Sequence, residues 1–309
     1  MADLFPKTIP ARPFIKWAGG KSQLLPQFDS LLPEGISEIG NLVYIEPFVG
    51  GGAMLLHMLQ RYPNISRAVV NDVNADLVTV YKTLKRAPHK LSALLLRMQR
   101  EYLALGADAK KDYYLAVRDG FNEHPAVKAR YDLNRAASFI FLNKTCYNGL
   151  YRVNKKGEFN VPWGKQLSPS IVNEEEIMAV WRVLRRVTFI QGDFETTLNY
   201  VAAGRTFVYF DPPYRPLSET SSFTAYDASD FGDAEQRRLS VFVGRMADAG
   251  CMVMASNSDG RSCNPDDTFI EDLYARADFN IRRVRAKRNI NSKGDGRGEI
   301  PELVIRNYQ

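Results

Sequence analysis

LVYIEPFVGGGA, residues 42–53, begins as a short apolar strand and ends in a cluster of glycines. The stretch that follows, Gly52–Arg61, reads as a helix. Strand, glycine-rich turn and helix together form the corner in which adenosine cofactors sit, because glycines let a ligand approach the backbone. About twenty residues on, a second strand, AVVN, ends in Asp72 within NDVNADL. An acid at that place can accept hydrogen bonds from both ribose hydroxyls. The alternative is a tight strand-to-helix turn with a solvated aspartate.

The glycine spacing departs from the dinucleotide fingerprint G-x-G-x-x-G, and no phosphate-binding lysine follows it. A cofactor with an adenosine but no phosphates fits better, and S-adenosylmethionine is the common one. Two further segments point to the same chemistry. FIKWAGGKSQLLP (14–26) has a Gly-Gly turn before Lys21, whose ammonium suits a methionine carboxylate. VTFIQ (187–191) ends in Gly192-Asp193-Phe194, where Asp193 can accept from an adenine amino group and Phe194 can stack on the ring.

Working outward, VTFIQ, TFVYF (206–210) and CMVMA (251–255) are further short apolar runs, as expected for parallel strands covered on both faces. Helical stretches such as Asp233–Ala249 separate them, and the alternation predicts a doubly wound α/β sheet. NIRRVRA (280–286) and ELVIRNY (302–308) flank a glycine-rich basic loop and read as a closing antiparallel pair. Residues 76–143 instead carry helical periodicity, for example Leu91, Leu94, Leu95 and Met98. They lead into NKTCYNGLYRVNKKGEFNVPWGK (143–165), where Tyr151–Val153 and Phe159–Val161 flank a four-residue turn, Asn154–Gly157. This predicts a catalytic domain from 1–80 and 175–309, interrupted by a helical domain, 81–174, bearing a β-hairpin at 147–163.

FVYFDPPYRP (207–216) then carries the chemistry. The strand delivers Asp211 into Pro212-Pro213-Tyr214, where pairing must stop. The prolines hold the Asp211 carboxylate and the Pro212 carbonyl as two fixed acceptors, which suits an amino group with two donors. An exocyclic amine is a poor nucleophile while its lone pair is delocalised. Accepting both N–H bonds favours an sp3-like nitrogen that can attack a sulfonium methyl in line. Tyr214 supplies a stacking wall. No metal is expected, and the three cysteines show no metal-ligand spacing.

The 309 residues carry a formal net charge of +6, and its distribution is informative. Lys144–Lys165 holds five basic residues and one acid; Arg282–Arg306 holds eight basic residues and three acids. The two segments can form one phosphate-binding face or remain two solvated loops. Hydrophobic content of 45% with 25% charged residues fits a soluble globular protein. No apolar run reaches the length of about 18 residues that a membrane helix needs. The amino terminus lacks the apolar core of a secretory signal, so a cytoplasmic protein with reduced thiols is expected, and a monomer because no spare apolar surface is evident.

In order, KWAGGK, EPFVGGGA, NDVNADL, an insert and DPPY resemble the α group of DNA adenine N6-methyltransferases, in particular the Dam/DpnII type that methylates adenine in GATC. The hairpin block, YRPLSETSSFTAY and RRVRAKRNINSKG extend the resemblance to nearly the whole chain. It implies that Trp17, Ala18, Gly19, Lys21, Pro47, Phe48, Gly50, Asp72, Asp193, Phe194 and Asp211 bind S-adenosylmethionine, with S-adenosylhomocysteine as product. Asp211, Pro212, Pro213 and Tyr214 would hold the target adenine. Arg152 would read a guanine in the major groove, Tyr147 would insert near a displaced base with Asn148 beside it, and Pro162 would touch a thymine methyl. Lys144, Asn154, Arg288 and Asn289 would add contacts to double-stranded DNA. The base must be flipped out of the stack, and the segment 215–230 is expected to be mobile until it closes over that base. Other readings keep the chemistry on GATATC, on RNA or on a protein glutamine amide, or keep DNA binding without activity. Asp211 disfavours the amide and ribosomal-RNA enzymes, which usually carry Asn there.

Overall fold

A computed structural model describes residues 9–215, 231–287 and 299–309. Residues 216–230, together with Arg288 and Asn289, lie outside the described residues, so the expectations for them are not addressed by the structure. Among the described residues seven strands are ordered: β1 (Leu42–Glu46), β2 (Ile65–Asp72), β3 (Val187–Gln191), β4 (Thr206–Phe210), β5 (Met252–Ser258), β6 (Asn280–Lys287) and β7 (Glu299–Arg306). The helices are α1 (Leu25–Asp29), α2 (Ala53–Arg61), α3 (Ala75–Arg86), α4 (Pro88–Ala104), α5 (Ala107–Glu123), α6 (Leu133–Thr145), α7 (Glu174–Leu184), α8 (Asp233–Asp248) and α9 (Phe269–Leu273).

The strands form one mixed sheet in the order β3-β2-β1-β4-β5-β7-β6. β1 pairs parallel with β2 and β4, and β4 parallel with β5. β7 enters antiparallel between β5 and β6, the closing pair expected from sequence. Strand order reverses between β1 and β4. Beyond the carboxyl ends of strands at such a reversal, open α/β sheets bind their ligands. This is a Rossmann-like α/β architecture.

The chain divides into two compact units. One comprises the described residues up to Gly20, with Gly50–Arg61 and Asn71–Asp193; the other comprises Lys21–Val49, Tyr62–Val70 and the described residues from Phe194 onward. In the second unit, β1 and β4 are buried at every position, which is why both read as unbroken apolar runs rather than alternating ones. Tyr44, Phe207, Tyr209, Phe210 and Phe242 fill its core.

In the first unit, the helical stripe of the sequence is a real core. Leu91, Leu95 and Met98 are buried along α4, as is Tyr102. Asn74 caps α3, its Oδ1 accepting from the N–H groups of Asp76 and Leu77 at 3.0 Å each. Asp132 caps α6 by accepting from Arg135 N–H. Each such cap stabilises its helix by about 1 kcal/mol. No helix among the described residues is long and apolar enough to cross a membrane.

Candidate active site

In the second unit, β4 ends by placing Asp211 at the switch point. Hydrogen-bonded and charged partners surround the corner. Lys21 Nζ lies 3.1 Å from Asp211 Oδ1 and 3.6 Å from Glu302 on β7. Ser256 on β5 donates to Asp211 Oδ1 at 3.1 Å, and its hydroxyl meets Tyr209 Oη at 3.0 Å. Tyr214 Oη donates to Glu302 Oε2 at 2.8 Å, and the Lys21 ammonium sits 4.4 Å from the centre of the Tyr214 ring. Pro212 is buried. The Pro213 carbonyl accepts from Gln236 Nε2 on α8, and Gln236 is itself held by Asn257. The double proline is therefore braced from α8 as well as by its own rings.

Burial pushes the Asp211 carboxyl above the usual range; Lys21 and then Ser256 and Tyr214 oppose that shift. Glu302 is raised for the same reason. Burial acts to lower Lys21, but the two carboxylates outweigh it and hold the ammonium charged. Burial also pushes the Tyr214 phenol well up, so it stays neutral and donates. Glu302, Ser256 and Gln236 were not singled out from sequence. Glu302 counts in the sequence only as one of the three acids of Arg282–Arg306.

Phe48 and Phe194, both in this unit, meet with ring centroids 5.4 Å apart. Phe194 also touches Phe231 and Phe242 and is buried, while Phe48 is half-buried and Pro47 buried. Phe194 thus belongs to an aromatic cluster and is not a free-standing ring.

In the first unit, the glycine turn is tied to Asp72. Gly50 N–H donates to Asp72 Oδ2 at 3.1 Å and Asn74 N–H to Asp72 Oδ1 at 2.9 Å. Burial raises the Asp72 carboxyl to about 6 against those two hydrogen bonds. Gly50 has φ +47, and a Cβ there would fall 2.9 Å from Trp17 Cδ1. A Cβ on Gly52, at φ +73, would lie 2.7 Å from Tyr81 Oη. Only glycine fits either position. Trp17 is half-buried, whereas Ala18, Gly19 and Asp193 are exposed.

The hairpin also lies in the first unit and differs from a plain ladder. Asn160 N–H donates to the Arg152 carbonyl and Tyr147 N–H to the Pro162 carbonyl. Between these pairs, Tyr147–Gly149 is extruded as a 3-10 turn on the first strand alone. Asn148 (φ 55) and Gly149 (φ 67) both take left-handed backbone there. Asn143 clamps the turn, its Nδ2 donating to the carbonyls of Gly149 and Lys16. The turn pushes Tyr147 outward to 54% exposure. Arg152 is exposed and steadied by Asn160 Oδ1 at 2.8 Å; Pro162 is exposed as well. Asn154 is spent on the turn, where its Oδ1 accepts from the N–H groups of Lys156 and Glu158. Lys144 is half-buried, and burial with nearby Lys16 lowers its pKa. Four side chains fix the return strand to the helices. Tyr114 Oη reaches the Val161 carbonyl, Tyr102 Oη the Gln166 carbonyl, Trp163 Nε1 donates to Tyr102, and Asn122 pairs with the Phe159 backbone.

Sheet order, glycine corner and Asp-Pro-Pro-Tyr corner together define a methyltransferase that acts on an amino group. The chain matches the family model described as D12 class N6 adenine-specific DNA methyltransferase over residues 17–290, and it belongs to that family. It is 47% identical to the type II methyltransferase M.MjaIII of Methanocaldococcus jannaschii, over 96% of this chain and 99% of that one. It is 38% identical to the type II methyltransferase M1.LlaDCHI of Lactococcus lactis subsp. cremoris, covering 96% and 95%. With the DNA adenine methylase of Escherichia coli the identity is 31%, covering 95% and 94%.

The protein is thus an adenine-specific DNA N6-methyltransferase, its substrate is DNA, and its family implies S-adenosylmethionine as methyl donor. The first unit's residues fit an adenosine of that kind. Both Asp72 oxygens are held by backbone N–H groups and keep lone pairs for ribose hydroxyls. The Gly50 turn leaves no Cβ in the way, and no lysine follows it to bind phosphate.

Proposed function

We propose that this enzyme methylates adenine N6 within GATC in duplex DNA, on a base flipped out of the helix. The observation that carries this reading is the extruded Tyr147–Gly149 turn, which presents an exposed aromatic ring on the hairpin that also bears Arg152 and Pro162. A ring so placed can fill the space a flipped base leaves in the stack. The Arg152 fork can bond guanine O6 and N7 together, and Pro162 can meet a thymine methyl. Lys144, with Arg288 and Asn289 beyond the described residues, would add phosphate or nearby contacts. Asn148 and Asn154 would shape the loop as much as touch DNA. Residues 81–174 would then act as the recognition region, and 1–80 with 175–309 as the catalytic one. A monomer suffices, since one methyl is transferred per strand.

For the cofactor, the sequence resemblance supports Trp17, Ala18, Gly19, Lys21, Pro47, Phe48, Gly50, Asp72, Asp193, Phe194 and Asp211. S-adenosylmethionine, when bound, supplies an electrophilic methyl on a sulfonium sulfur. Asp211 and the Pro212 carbonyl accept hydrogen bonds from the two N6 N–H groups and turn the nitrogen lone pair toward that methyl. Pro213 and Gln236 hold the acceptors in place, and Tyr214 stacks on the base. Positioning and fixed dipoles of this kind supply most of the rate enhancement in such transfers.

The test is transfer of a tritiated methyl group from S-adenosylmethionine to duplexes bearing GATC, GATATC or a scrambled site. Transfer to GATC alone supports the reading. Transfer to GATATC in preference corrects the site, and equal transfer to all three overturns the role given to the hairpin.

A further inference from the structure

Glu302 has no assigned part in this chemistry, yet it touches two of the groups that shape it. It lies on β7, 88 positions from Tyr214 in the chain, and accepts from Tyr214 Oη at 2.8 Å. Its Oε2 is also 3.6 Å from Lys21 Nζ, the same nitrogen that meets Asp211 at 3.1 Å. Glu302 is only 14% exposed, so it has been placed there against a desolvation cost. A surface carboxylate of β7 would not need that position. Two half-buried carboxylates share one buried ammonium. Each draws on the Lys21 charge, so neither is fully neutralised by it.

We propose that Glu302 is a positioning residue for methyl transfer: it orients the Tyr214 ring and, by sharing Lys21, leaves the Asp211 carboxylate free to accept from the target amine. The proposal rests on the reading of Asp211 as that acceptor. An Asp211 bound by Lys21 alone would be a weaker acceptor, because its charge would be spent on the ion pair. The other groups facing Asp211 are Tyr209 on β4, Tyr44 on β1 and Ser256 on β5, with Glu46 of β1 beyond Tyr44. Tyr44 donates to Glu46 at 2.8 Å, so those two largely answer each other. Glu302 is the neighbouring anion bonded to both Lys21 and Tyr214.

The experiment measures kcat/KM for a duplex substrate against pH in the wild type, Glu302→Gln, Glu302→Asp and Asp211→Asn. Glutamine keeps the size and the acceptor for Tyr214 but removes the charge. The acid limb of the profile, which reports Asp211 ionisation, moves down by about one pH unit in that variant, as expected on removing a nearby like charge. The plateau falls several-fold, while the cofactor Kd changes less than twofold. Glu302→Asp keeps the charge, and its acid limb stays at the wild-type position. An inactive Asp211→Asn together with a Glu302→Gln limb that superimposes on wild type overturns the role of Glu302 and leaves that of Asp211 standing. A displaced limb in Glu302→Asp overturns it too, and serves if the glutamine variant fails to fold. An Asp211→Asn enzyme that still transfers methyl groups removes the acceptor reading itself.

Discussion

Lys21 Nζ stands 3.1 Å from Asp211 Oδ1, although the two residues lie 190 positions apart in the chain. Lys21 is 6% exposed, so it is a buried cation whose charge is maintained by its partners. Removing one member of such a set leaves the others charged and uncompensated.

Lys21→Met should therefore raise the Asp211 carboxyl further, because burial already lifts it and Lys21 is the main opposing influence. The acid limb of the methyl-transfer profile should move up by about one pH unit or more. The rate at neutral pH should drop accordingly. An unmoved limb would show that Lys21 does not control the acceptor.

Asp72 gives a second pH dependence. Its folded-state value, about 6, exceeds the ordinary 3.8, so the folded protein holds this proton more tightly between those two values. Ionising it costs stability as pH rises through that window. Ribose hydroxyls would stabilise the ionised form, so affinity for S-adenosylmethionine should rise between about pH 5 and pH 7. Asp72→Asn should flatten this rise and weaken binding by roughly 10-fold to 100-fold, as the loss of hydrogen bonds to a charged group implies. Calorimetric titration across that range decides it.

Gly149→Ala tests the extruded turn. The residue has φ +67, and a Cβ would fall 2.8 Å from Lys16 Cβ and nearer still to Lys16 Cδ. The substitution should cost about 1 kcal/mol or more of stability. It should weaken duplex binding much more than cofactor binding. Equal losses of both would mean that the turn serves the fold alone.

Arg152→Ala should relax discrimination at one base pair by roughly 1–3 kcal/mol while leaving the pH profile in place. Competition between GATC duplexes substituted at single positions measures this. A uniform loss across all duplexes would make Arg152 a phosphate contact.

Much of the architecture was legible because buried parallel strands and amphipathic helices leave local signatures. LVYIE, VTFIQ and TFVYF became β1, β3 and β4 over the expected residues. AVVN proved to be the inner part of a longer β2, whose outer residues Ser66 and Arg67 are exposed and carry no apolar signal. The hairpin turn at Asn154–Gly157 was legible too, closed by Gly157 N–H on the Asn154 carbonyl. The three-residue extrusion ahead of it was not. It depends on Asn143 and Lys16, which lie outside the hairpin.

Sequence by itself determined that a strand would carry Asp211 to a forced stop and that glycines would stand opposite an acid where β1 turns into α2. Those features follow from backbone chemistry: proline lacks an N–H, and glycine alone tolerates the turn. Tertiary structure alone decided the company those groups keep. Inserting β7 antiparallel beside β5 brings Glu302 to Tyr214 and Lys21, and packing α8 on β5 brings Gln236 to Pro213. No local pattern announces such meetings. The charge on Asp211 is set by burial and by partners that only the folded sheet collects.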